Sequence, residues 1–79
     1  MTKQEIFDKV ASLVATHFSI EKEQVKNETD FVNDLHADSI SIMEFIIDLE
    51  DNFEAEVTDD AAEGIATIGQ LVAYIESVL

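Results

Sequence analysis

Residues 40–53, ISIMEFIIDLEDNF, carry apolar side chains at intervals that only an α-helix can gather onto one side. At about 100° per residue, Ile42, Phe45, Ile46, Leu49 and Phe53 fall on one wide stripe, broad enough to be a core face. Ile40, Met43 and Ile47 are left over and align on nearly the opposite side, with Glu44 and Asp51 along one edge and Glu50 along the other. Such a helix needs a role for both sides. Either the second stripe is a docking surface for a basic protein or a small third helix covers it, and the spacing leaves both open.

The remaining segments supply the neighbours. Thr2-Lys3-Gln4-Glu5 fits a capping box and predicts a helix from about residue 3 to about residue 17, with Ile6, Phe7, Val10, Leu13, Val14 and Phe18 at helical spacing. Thr67-Ile68-Gly69-Gln70 is a second capping box, opening a last helix whose Ile68, Leu71, Val72, Ile75 and Val78 share a face. A short helix is expected over Asp59–Glu63, ended by Gly64. The stretch between the first helix and Ser39 is polar and lacks helical period. Loops this long rarely hang free in compact domains, so Ile20, Val25, Phe31 and Leu35 are expected to anchor it. With no strand alternation, the class is all-α: three main helices plus one short helix, and a long first loop. At 79 residues the chain is read as a single domain, 1–79, burying a little over ~60% of its unfolded surface.

Eighteen acids against four bases give a formal charge of −14, which repels nucleic acid and anionic membrane and steers the chain toward basic protein surfaces. Self-repulsion of this size should make the fold more stable in salt or divalent cations. The charged first ten residues, MTKQEIFDKV, do not form a signal peptide, and no apolar run is long enough to span a bilayer. A soluble, cytoplasmic monomer with no stable membrane insertion is the expectation. No cysteine is present, so disulfides, thiolate metal sites and an intrinsic thiol nucleophile are excluded.

Ser39 stands between Asp38 and the helix. Taken alone, Asp-Ser at a helix start is a cap. His36, Asp38 and Ser39 also name the members of a hydrolytic triad, but triad residues converge from distant positions and no GxSxG elbow is present, which argues against a hydrolase. Two acidic clusters, Asp59-Asp60-Glu63 and Glu50-Asp51-Glu54, lack the spacing of a calcium loop, so no metal site is expected.

Across its whole length, and most sharply from Phe31 to Phe53, the sequence resembles the acyl carrier proteins, small acidic four-helix bundles. Phe31, Asp34-Leu35, Asp38-Ser39-Ile40, Glu44, Leu49-Glu50-Asp51 and Phe53 stand where that family places Phe, Asp-Leu, Asp-Ser-Leu, Glu, Leu-Glu-Glu and Phe. The resemblance implies that the chain is a carrier and not an enzyme. It implies that Ser39 carries a 4′-phosphopantetheine arm, attached by a separate transferase from coenzyme A with Mg²⁺, with Asp38 supporting the transferase's metal or a basic side chain. Acyl groups would ride as thioesters on the arm. Ile40, Met43, Glu44, Ile47, Asp48, Glu50 and Asp51 would be the surface read by partner enzymes, and Phe45, Ile46 and Leu49 would line an acyl pocket. The resemblance is imperfect at His36, where the family usually has Gly, at Ile40 and Ser41, and in the turn NFEAEVTDD, which lacks the usual Gly and Pro. His36 is read as a solvated loop residue, and His17 as meeting the negative end of the first helix.

The expected role is carriage of acyl intermediates in dissociated fatty-acid synthesis, the short chain with its own Met start favouring a free-standing carrier. Carriers for polyketides, lipid A acyl chains or aminoacyl groups of cell-wall modification share the motif. An acidic adaptor binding basic partners without a prosthetic group is the alternative of another class; it would need the acids and the stripe but not Ser39.

Overall fold

Thr2 opens the first helix as a complete capping box: its hydroxyl accepts the Glu5 N–H at 3.2 Å, while its own N–H donates to Glu5 Oε1 at 2.8 Å. In the computed structural model, which describes residues 2–79, helix α1 then runs Lys3–Phe18, followed by α2 (Ser39–Phe53), the short α3 (Asp59–Gly64) and α4 (Ile68–Val78). The first loop contains one 3₁₀ turn, Lys22–Gln24, that the sequence pattern did not indicate.

The helices close on each other through the faces the spacing assigned. Ile6, Val10 and Val14 of α1, Phe45, Leu49 and Phe53 of α2, and Ile68, Leu71, Val72 and Ile75 of α4 are buried together. Ile42 and Ile46 are only half-buried, so the core stripe of α2 is narrower than its spacing allowed. Phe45 lies among Phe18, Phe31 and His17, with ring centroids 5.7–5.8 Å away. Lys9 of α1 reaches across Phe53 and donates to the Asn52 carbonyl at 2.7 Å, placing a cation at the negative end of α2.

The long loop is anchored as expected, by buried Val25 and Phe31 and half-buried Ile20 and Leu35. Main-chain bonds add to this: Phe31 N–H donates to the Ala66 carbonyl, Ile68 N–H to that of Thr29, and Gly69 N–H to that of Asn27, the last at 2.8 Å. Ala37 N–H donates to the Phe31 carbonyl, which fixes the approach to α2. Tyr74 of α4 donates its hydroxyl to the Glu56 carbonyl at 3.0 Å, tying the stretch before α3 to the framework.

One expectation is corrected. Gly64 does not terminate α3 in a left-handed turn; it is the last helical residue, and extended Ile65 ends the helix by donating its N–H to the Ala62 carbonyl. His17 lies in the last turn of α1, as expected, and its Nδ1 is also 3.6 Å from Asp48 Oδ2 of α2; the end of α1 is closed by left-handed Ser19. No glycine has a positive φ among the described residues; Ser19 (φ 57°), His36 (φ 55°) and Glu54 (φ 50°) do. These three positions cost more with a side chain than with glycine.

Candidate functional site

The start of α2 is built by the loop before it. Asp30 Oδ1 accepts the N–H groups of Val32 and Asn33, and Asp34 Oδ2 accepts that of Asp30 at 2.7 Å, so these loop acids shape a turn. His36, at the position where the resemblance places glycine, adopts a left-handed conformation, which turns Ala37 inward, where it is 8% exposed. The imidazole is exposed, as expected of a loop residue.

Asp38 is the N-cap of α2: its Oδ1 accepts the Ser41 N–H at 2.8 Å. That N–H first, and the Ser41 hydroxyl second, hold the Asp38 carboxyl below its ordinary value. With the capping done by Asp38, Ser39 stands one residue inside the helix as its exposed first member. Its hydroxyl lies at the end of α2 where unpaired first-turn amides and the helix dipole favour a negative group. Around it the second stripe is open: Ile40, Met43 and Ile47 are 68%, 64% and 57% exposed. Helix α3 does not cover them.

The acids expected on the recognition surface divide. Glu44, Asp48 and Asp51 are exposed. Glu50 is half-buried, and its Oε2 accepts the Val57 N–H at 2.8 Å, so it braces the connection to α3. Among the described residues no group of three or more His, Asp or Glu is placed to hold a metal ion.

Of the three acyl-pocket candidates, Phe45 and Leu49 fill the core at 1% and 0% exposure. Ile46 alone lines open space. A surface groove of about 410 Å³ begins at Ser39 between α2 and α3, walled by Ile42, Met43, Asp59 and Ala62. It continues into a second hollow of about 160 Å³ that shares Met43, Asp59 and Ala62 and ends at Ile46, Glu50 and Val57. Val57 and Ala62 were not singled out from sequence. Their signal lay in the loop and short helix, whose contacts depend on how α3 folds back over α2.

Among the described residues no helix is long and apolar enough to cross a membrane. Residues 8–75 match the family described as the phosphopantetheine attachment site. The chain is 49% identical over 77 residues to the acyl carrier protein of Lactobacillus acidophilus, covering 98% of this chain and 96% of that one. Identity to the acyl carrier protein of Lactobacillus johnsonii is 47% with the same coverage. A solved structure of acyl carrier protein from Enterococcus faecalis, described for its high thermal stability, superposes with a TM-score of 0.84 at 47% identity, over 100% of both chains.

Proposed function

The chain belongs to the acyl carrier proteins, phosphopantetheine-bearing carriers rather than enzymes, and from that premise we propose that Ser39 is the attachment residue. The observation that carries this is the division of labour at the head of α2: Asp38 supplies the cap, and Ser39 offers an exposed hydroxyl at the positive end of a helix. The residues present fit the group. First-turn amides of α2 suit a phosphodiester, and Ser39 opens onto a groove with apolar walls at Ile42, Met43 and Ala62. The arm supplies the thiol that a chain without cysteine lacks, and so the thioester chemistry. Asp38 keeps the Ser39 backbone in register and is available to a transferase's metal or basic side chain.

The whole of 1–79 acts as one carrier domain in this reading, a cytoplasmic monomer. Exposed Ile40, Met43 and Ile47, flanked by Glu44, Asp48 and Asp51, form the surface that basic patches of partner enzymes read. Contacts of this kind give fast, salt-sensitive and readily released docking. The acyl tail lies in the groove between α2 and α3, against Met43, Ile46 and Val57. Fatty-acid synthesis is the pathway that best suits such a carrier. Robust malonyl loading and elongation by purified synthesis enzymes supports it, whereas loading only by an adenylating ligase points to aminoacyl or other cargo.

The attachment is tested by intact mass before and after incubation with a phosphopantetheinyl transferase, coenzyme A and Mg²⁺. Wild type is expected to gain one phosphopantetheine and Ser39→Ala none. A gain on Ser39→Ala, or no gain on wild type with a transferase active on another carrier, overturns the assignment.

A further inference from the structure

Glu50 differs from the acids around it on α2 because its carboxylate is already engaged. Its Oε2 accepts the N–H of Val57, seven residues further on, at 2.8 Å. Val57 is 7% exposed, and the bond holds the stretch that leads to α3 against the side of α2. Both residues line the far end of the groove, with Ile46, Ile47 and Ala62. Its near end opens at Ser39. The two ends are eleven residues apart on α2, about 16 Å along the axis. The groove thus runs over Met43 and Ala62 and closes on a carboxylate and the backbone it holds.

A hydrocarbon tail advancing past Ile46 meets two obstacles. It must strip water from the Glu50 carboxylate or pull Val57 away from it, and each costs more than burying one further methylene returns. We propose that Glu50 sets the upper length of straight-chain acyl group the groove accommodates, by pinning Val57 across its far end. Glu50 acts here as a positioning residue through Val57, and an amide oxygen at the same place would serve. This inference rests on the carrier reading and adds a length limit to it.

The test uses the full chain as wild type, Glu50→Gln and Glu50→Ala. Amide hydrogen exchange at Val57 reads the bond: Glu50→Ala is expected to exchange about tenfold faster or more, and Glu50→Gln to stay within about threefold of wild type. Each protein is then prepared in its octanoyl and palmitoyl forms, and the gain in Tm on acylation is measured. In wild type and Glu50→Gln, palmitoyl should add no more than octanoyl; in Glu50→Ala it should add more. Equal Val57 exchange in all three proteins, a larger palmitoyl gain already in wild type, or no larger palmitoyl gain in a folded Glu50→Ala overturns the proposal. If Glu50→Ala does not fold, a larger palmitoyl gain in wild type still overturns the proposal. A wild type that accepts no phosphopantetheine removes the carrier reading and the length limit with it, while the Val57 exchange rates still report whether the Glu50 bond exists.

Discussion

Helices α4 and α3 both start on a threonine whose hydroxyl accepts the N–H three residues on, Gln70 at 3.3 Å and Ala61 at 3.2 Å. In α4 the Gln70 side chain returns the bond to Thr67, and Ile68, Leu71, Val72 and Ile75 are all buried. In α3 no return bond closes the cap and no residue is buried; six residues rest on half-buried Ala61 and Ala62, flanked by Val57 and Ile65. A capped helix without a buried face contributes little to global stability, because most helical stability in proteins comes from packing. The same cap therefore serves two ends: α4 is framework, and α3 is a wall of the groove with no buried face of its own.

The contrast is broken most severely from the α4 side. Leu71→Ala should lower stability by about 2–5 kcal/mol, close to the whole stability of a small domain, as read by urea unfolding. A loss under about 1 kcal/mol would mean that α4 is not the framework it is taken to be. Removing the caps comes next. Thr67→Ala should cost about 0.5–2 kcal/mol in the global transition, whereas Thr58→Ala should register mainly as faster amide exchange within α3.

Smaller still, and opposite in sign, are two glycine substitutions. A Cβ at Gly64 would meet nothing within 4 Å, so Gly64→Ala should stabilise α3 by about 0.5–1 kcal/mol. At Gly69 the Cβ would stand 3.1 Å from the Asn27 carbonyl, which the Gly69 N–H itself holds at 2.8 Å. Gly69→Ala should therefore lower Tm despite its better helix propensity. Equal shifts at both sites would erase the distinction.

The weakest effect separates caps by chemistry. The lowered pKa of Asp38 means that its contribution to α2 is present above the unfolded-state value and is lost as pH falls through the folded-state value. Glu5 in α1 behaves alike, held down by the N–H and hydroxyl of Thr2. The threonine caps of α3 and α4 do not titrate. Carboxyl chemical shifts followed through an acid titration should place the Asp38 midpoint below the ordinary aspartate range, with Asp38→Asn leaving the cap in place. An unshifted midpoint would deny the charge-assisted cap.

What could be read from sequence was what neighbouring residues decide among themselves. The boxes Thr2/Glu5 and Thr67/Gln70 form as their spacing predicts, and the two stripes of α2 separate into buried Phe45, Leu49 and Phe53 and exposed Ile40, Met43 and Ile47. The exposed stripe needed the structure, since only the placement of α3 distinguishes a docking face from a covered one. Left-handed His36 and Glu54 were illegible because surrounding contacts, and not residue type, impose those angles. The bonds from residues 27–31 to residues 66–69 use main-chain groups, which every sequence possesses alike. Glu50 was assigned to the surface from its place at the edge of the second stripe and from the family resemblance; its partner, Val57, arrives from beyond the helix end.

The hydroxyl that Tyr74 gives to the Glu56 carbonyl has an optical consequence. The chain has one tyrosine and no tryptophan, so fluorescence excited in the tyrosine band, beyond phenylalanine absorption, comes from a single phenol bonded to the strap that leads into α3. Lifting that strap would change the acceptor of that one phenol, and the unlabelled molecule would report the opening of its own groove in real time.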